Sequence, residues 1–182
     1  MDRATGLASR GVWNEVLRLE AARFARYGRP VTIVVAELDG WDSLVAMLGQ
    51  GAADYLLPSI ASAMVRHARD ADFLARTGDA RFVALLPETN EVSATNYVER
   101  VRAECDTWLE AGAIAVRLAL GWAQPVPGQP FADALRRAED RMNADRRRYD
   151  FHAPHSTGVP PVHHETPAQP LAGLRKPPTI RP

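Results

Sequence analysis

The side chains best equipped for chemistry gather in one stretch, Arg69 to Pro87, which reads RDADFLARTGDARFVALLP. Its first half carries Arg69-x-x-Asp72 at the expected end of a helix. An arginine fork suits planar, acceptor-rich partners such as phosphates and guanine edges. The plainer alternative for such a pair is a surface ion pair between neighbouring charges. The second half reads as strand, tight turn and strand, with Gly78-Asp79-Ala80-Arg81-Phe82 at the tip, where a hairpin displays functional groups. A third group, Glu37-Leu38-Asp39-Gly40, closes an apolar run. Carboxylates at the end of a buried strand often hold a metal, although Asp39 taken alone is better read as the cap of the next helix. Cys105, in a helical segment, is most simply a small core residue, and the adjacent His163-His164 lack the carboxylate or cysteine support of a metal site.

The elements that position these groups follow from periodicity. Trp13, Val16, Leu17, Phe24 and Tyr27 recur at helical spacing, after Ser9 as N-cap and before Gly28 and Pro30. Val31–Ala36 is apolar and β-branched, which predicts a central strand covered on both faces. A helix follows from about Trp41 to Leu48, broken by Gly49 and Gly51, and a longer one from about Ala52 to Ala68. Pro58 either kinks that second helix or marks a later start. Strands at about Asp72–Arg76 and Arg81–Leu86 make the hairpin. A helix from about Glu91 to Glu110 places Val92, Tyr97, Val101 and Trp108 on its apolar side. Ile114–Ala123 is another strand, stopped by Pro125, Pro127 and Gly128. The last helix runs from Phe131 to about Arg148 and ends in Arg146-Arg147-Arg148, basic residues that suit the negative end of a helix.

From Phe151 the composition shifts to Pro, Thr and Gly, so residues 151–182 read as a disordered, partly polyproline-II tail. Pro167-Ala168-Gln169-Pro170 and Arg175-Lys176-Pro177-Pro178 offer docking motifs for a protein partner, a solubilising tail being the simpler reading. With 182 residues, 46% of them hydrophobic, the chain has length for one domain plus this tail. The net charge of +0 gives no bulk attraction to nucleic acid or to an anionic membrane. One cysteine excludes an internal disulfide and fits a reducing compartment. No apolar run reaches membrane-spanning length and no leader pattern opens the chain, so a soluble, cytoplasmic protein is expected. Lys176 is the only lysine; the remaining positive side chains are arginines.

The order helix, strand, helices, hairpin, helix, strand, helix is an α/β layer pattern. Along it lie Asp2-x-x-Thr5-Gly6-Leu7-x-x-Arg10, then Val34-Val35-Ala36-Glu37-Leu38-Asp39-Gly40-Trp41, then Gly49 with Ala53-Asp54. Arg76-Thr77-Gly78-Asp79-Ala80-Arg81-Phe82, Ala119-Leu120-Gly121-Trp122-Ala123 and Ala138-Glu139-Asp140 complete the series. In that order and spacing they resemble the GGDEF domain of diguanylate cyclases: its DxLTGLxNR turn, LLLDLDGF strand end, GHxxGD segment, R-x-GGDEF hairpin, SIGVA strand and ADxALYxAK helix. The resemblance implies an α+β sandwich over residues 1–150, a nucleotidyl-cyclase-like domain with a central mixed five-stranded sheet flanked by helices, in bacterial second-messenger signalling.

Cyclase chemistry joins two GTP molecules, with divalent metal neutralising the α-phosphate while pyrophosphate leaves. By resemblance the two metal-binding positions are Glu37 and Ala80. Glu37 still offers a carboxylate; Ala80 offers nothing. Arg81 reverses the sign of the acidic fourth hairpin position, and Asp79 replaces the second glycine with a side chain. Val45 stands where the family reads guanine with Asn. Asp54 matches the other guanine contact, and Arg146 stands for the phosphate-binding Lys. The resemblance therefore implies a remnant substrate site at Glu37, Asp54, Gly78, Asp79, Ala80, Arg81 and Arg146, no catalytic residue, no metal and no cofactor. The absence of a sensor or stalk segment before Met1 agrees with a non-catalytic chain.

Arg69-x-x-Asp72 falls five residues before Gly78, in the register of the family's product-inhibition site, and Arg100 occupies the place of the further arginine that completes it. An Arg fork matches guanine O6 and N7, a carboxylate accepts from the N1 and N2 protons, and a second Arg neutralises phosphate. The expectation is a receptor for cyclic di-GMP at Arg69, Asp72 and Arg100, with a ligand-promoted homodimer. The competing readings are a ligand-free interaction scaffold that uses the degenerate hairpin face and the tail, and a GTP-binding domain without turnover.

Overall fold

The computed structural model of the chain describes residues 1–111 and 116–150. In chain order the elements are β1 (Ala8–Ser9), α1 (Arg10–Tyr27), β2 (Val31–Asp39), α2 (Trp41–Leu48), α3 (Gln50–Asp54) and α4 (Leu57–His67). They continue with β3 (Phe73–Arg76), β4 (Arg81–Pro87), α5 (Glu91–Ala111), β5 (Arg117–Ala123) and α6 (Phe131–Asp150). The five strands form one sheet in the order β1-β3-β4-β2-β5. β1 and β3 are parallel and the other pairs antiparallel, so the sheet is mixed.

Side chains alternate across each strand, and the continuous apolar runs are sorted to two cores. Val34, Ala36 and Leu38 of β2, with Phe82, Ala84 and Leu86 of β4, join Leu57, Ile60 and Met64 of α4 and Tyr97, Val101 and Cys105 of α5. Val31, Ile33 and Val35, with Val83 and Leu85, join Trp13 of α1 and Ala134, Ala138 and Met142 of α6. The sheet is thus covered on both faces, as the β-branched run at Val31–Ala36 requires.

α6 sits unusually close to β5. A Cβ at Gly121 would run into the carbonyl oxygen of Ala138 and the amide nitrogen of Met142, so only glycine allows this approach. One turn on, the Asp145 carboxylate accepts from the Leu120 N–H (3.0 Å) and from Arg102 Nη2 (3.0 Å). These contacts fix the last turns of α6 beside the end of β2.

Several expectations need correction. The one helix expected from about Ala52 to Ala68 is two, and of the two readings of Pro58 the later start is the one found. α3 and α4 are separate, and Pro58 lies in the first turn of α4, where a missing N–H costs nothing. Asp39 is not a helix cap: it ends β2, and Gly40 in the left-handed region (φ 82°) begins α2. Val92 is 81% exposed and Tyr27 60%, so neither belongs to an apolar face. Ser9 is the N-cap of α1 in extended backbone, without a side-chain capping bond. The pairing of Ala8 and Ser9 with Ala75 and Arg76 was not anticipated. Residues 112–115, the start of the expected strand at Ile114, lie outside the described residues. So does the tail from 151 to 182, with its proline motifs and His163-His164.

Candidate functional site

Where β2 ends, the hairpin tip, the first turn of α2 and the last turns of α6 enclose a cleft of about 410 Å³. Antiparallel register makes Glu37 and Arg81 direct cross-strand partners. Arg81 Nε donates to Glu37 Oε2 at 2.6 Å, and its Nη1 to Glu139 Oε1 at 3.0 Å. Arg146 Nη2 donates to Glu37 Oε1 at 2.7 Å, with its Nε 3.4 Å from Asp39 Oδ1. Both oxygens of Glu37 are therefore taken by guanidinium groups. Burial alone would raise the Glu37 carboxyl. The hydrogen bonds and charges of Arg81 and Arg146 outweigh it and hold the group below its ordinary value. Ala80 is buried and contributes only its carbonyl oxygen, which accepts from the Leu38 N–H at 3.1 Å. Asp79 is exposed on the rim. Among the described residues no cluster of three His, Cys, Asp or Glu side chains is arranged to hold a metal.

The hairpin tip itself is stapled down. Thr77 N–H donates to the Arg81 carbonyl (2.9 Å). Arg76 donates to the carbonyls of Gly78 (3.1 Å) and Asp79 (2.7 Å) and pairs with Asp2. Arg10 donates to the Thr77 carbonyl (2.6 Å). Arg76 and Arg10 lie within the sequence motifs, and only the fold brings them to the loop. Asp54, by contrast, does not line the cleft; its Oδ1 accepts from Gln50 Nε2 at 2.8 Å. Val45 packs against the core.

Arg69, Asp72 and Arg100 meet in a second, smaller pocket of about 180 Å³, floored by Leu86 and Tyr97. The turn from α4 to β3 orients the pair. Asp72 Oδ2 accepts the Arg69 N–H at 2.7 Å, and the Asp72 N–H donates back to the Arg69 carbonyl at 2.9 Å. Asp72 thus holds the Arg69 backbone, and neither the Arg69 nor the Arg100 guanidinium has an ion-pair partner among the described residues. Burial raises the Asp72 carboxyl, opposed by the hydrogen bond and charge of Arg69. Tyr97, buried, donates to the Met64 carbonyl at 3.3 Å, and its hydroxyl is pushed well up by burial and by Asp72. His67 lies 2.8 Å from Glu104; burial lowers its pKa, and so do Arg100 and Arg66. His67, Ser93 and Asn96 also line this pocket and were not singled out in the sequence. The signal for two of them was present: Ser93, Asn96 and Arg100 recur at helical spacing on one helix.

A mixed sheet with a β-hairpin presented at the end of its central strand, covered by helices on both faces, defines the class. The chain belongs to the GGDEF domain family: the family described as "Diguanylate cyclase, GGDEF domain" matches residues 1–150. Among curated relatives, diguanylate cyclase DgcP of Pseudomonas aeruginosa is 36% identical over 102 residues, 56% of this chain and 15% of DgcP. Diguanylate cyclase DosC of Escherichia coli K12 is 24% identical over 152 residues, 81% of this chain and 33% of DosC. The match therefore spans a third or less of these relatives' length. Among solved structures, the diguanylate cyclase SiaD of Pseudomonas aeruginosa, in complex with its activator SiaC, superimposes with TM-score 0.73 at 26% identity. It covers 81% of this chain and 58% of that one. The coiled coil and GGDEF domain of DgcB from Caulobacter crescentus, in complex with c-di-GMP, superimposes with TM-score 0.71 at 22% identity, covering 81% and 80%. No helix among the described residues is long and apolar enough to cross a membrane.

Proposed function

We propose that this chain is a non-catalytic receptor for cyclic di-GMP, bound at Arg69, Asp72 and Arg100. The observation that carries the reading is a contrast between two clefts. In the hairpin cleft, Arg81 and Arg146 engage both oxygens of Glu37. In the smaller pocket, two guanidiniums and a carboxylate converge without pairing to one another through their side chains.

Phosphoryl transfer between two nucleotides depends on cations aimed at the phosphates. A metal at Glu37 would have to displace two guanidiniums and would find no second carboxylate at Ala80. Loss of one preorganised electrostatic group costs on the order of 10²–10³ in rate. These features of the cleft support a reading without turnover. The smaller pocket supplies complementary chemistry. Asp72 Oδ1 accepts from guanine N1–H and N2–H, the Arg69 fork donates to O6 and N7, and Arg100 meets a phosphate. Its volume of about 180 Å³ is below the roughly 300–1,000 Å³ that encloses a whole ligand. It has room for one base. The second guanine is left outward for another copy of the chain, so ligand-promoted dimerisation belongs to the proposal.

Titration calorimetry of the purified protein with cyclic di-GMP tests it. Wild type should release heat. Arg69→Ala and Asp72→Ala should each weaken binding by about 10- to 100-fold, the loss of charge-assisted hydrogen bonds. Incubation with GTP and divalent metal should give no cyclic dinucleotide. No heat with wild type, unchanged binding in Arg69→Ala, or conversion of GTP would overturn the reading.

A further inference from the structure

The pocket has a second wall, of which the receptor reading uses only Arg100. α5 lays Ser93, Asn96 and Arg100 along one side, at spacings of three and four residues, facing Arg69 and Asp72. Asn96 is exposed, and its amide has no hydrogen-bond partner among the described residues. We infer that Asn96 is a further ligand-binding residue that contacts the ribose 2′-hydroxyl, and so makes the site selective for ribo- over deoxyribo-dinucleotides. The inference rests on the cyclic di-GMP reading of the same pocket.

The assignment follows from which edges of guanine remain. Asp72, locked by the Arg69 N–H, has one free oxygen and takes the Watson–Crick edge, where guanine donates. The Arg69 fork takes O6 and N7. The edge left for α5 is the sugar edge, with the acceptor N3 and the adjoining 2′-hydroxyl, itself both donor and acceptor. A carboxamide carries one acceptor and a pair of donors, which matches such a mixed edge; a charged side chain does not. The position along α5 agrees. Asn96 lies one helical turn before Arg100, roughly 6 Å along the axis, and beside Tyr97, whose hydroxyl feels the charge of Asp72. The order Asp72 for the base, Asn96 for the sugar and Arg100 for the phosphate follows the covalent order of a nucleotide. Ser93, one turn further along α5, is not needed for this contact.

Calorimetry with two ligands on two proteins tests the inference: cyclic di-GMP and its 2′-deoxy analogue, against wild type and Asn96→Ala. Wild type should bind the ribo ligand about 10-fold more tightly than the deoxy analogue, the scale of one hydrogen bond. Asn96→Ala should lose that preference by weakening ribo binding while leaving the deoxy analogue unchanged. A matching unfolding temperature for both proteins establishes that the exposed substitution leaves the fold intact. Equal binding of both ligands by wild type, or an undiminished preference in Asn96→Ala, would overturn this inference and leave the receptor reading standing. Failure of wild type to bind cyclic di-GMP at all would overturn both.

Discussion

Glu37 is the residue on which the hairpin cleft turns. Its carboxylate is held in the charged form by Arg81 and Arg146, against the pull of burial. The sign of the consequence is definite. A carboxyl whose folded value lies below the ordinary 4.5 stabilises the fold fully above that value, and the contribution fades as pH falls through the lower folded value. Glu37→Gln leaves two guanidiniums facing each other, and should cost roughly 1–3 kcal/mol at neutral pH. Urea unfolding from pH 7 down to pH 3 should show the gap to wild type narrowing on the acid side. The same residue explains why the cleft was only half legible. The reversed sign at Arg81 and the missing carboxylate at Ala80 stand in the sequence. That Arg81 would lie directly across from Glu37 needed the register of β2 and β4, which local patterns do not encode. The Ala80→Asp, Arg81→Glu double substitution should release Glu37 from one guanidinium and add two carboxylates. A Mn²⁺-dependent rise in unfolding temperature is expected in that variant and not in wild type.

At the scale of elements, the strongly periodic segments were readable and the short or composite ones were not. β2 and β4 announce themselves through β-branched and apolar runs with a glycine turn between β3 and β4. β1 is two residues long, too short for any period, and exists because β3 offers it an edge. The break between α3 and α4 was visible as Pro58, but whether it kinks or starts a helix depends on whether the preceding turn can detach. The placement of α6 rests on Gly121, which reads in sequence as one more small residue of a strand. Gly121→Ala would drive a methyl group into the backbone of α6 at Ala138 and Met142. Backbone yields less readily than side chains, so the loss should reach at least about 1–3 kcal/mol. Chemical denaturation measures it, and the displaced α6 should carry Arg146 away from Glu37.

For the whole molecule, the two clefts should act as independent parts of one fold. Asp72 and Thr77 lie at opposite ends of β3; five extended residues at roughly 3.3 Å each put on the order of 15 Å between them. Substitutions that far apart, without shared partners, usually add. The proposed ligand engages only the folded chain, so at 100 times its dissociation constant it should stabilise wild type by about 2.7 kcal/mol. For a domain of this size each kcal/mol raises the midpoint by roughly 2–4 °C. Arg81→Ala frees one Glu37 oxygen and should lower the midpoint of the unliganded protein. It touches nothing in the smaller pocket, so cyclic di-GMP should still add the wild-type increment. Asp72→Ala should do the reverse: a modest baseline loss, because the turn at Arg69 loses its carboxylate brace, and an increment cut to about 0.4–1.4 kcal/mol at the same ligand concentration. Thermal unfolding of the three proteins with and without cyclic di-GMP separates these outcomes. An increment that falls in Arg81→Ala as far as in Asp72→Ala would mean that β3 transmits between the clefts, and that the stapled hairpin tip takes part in sensing the ligand.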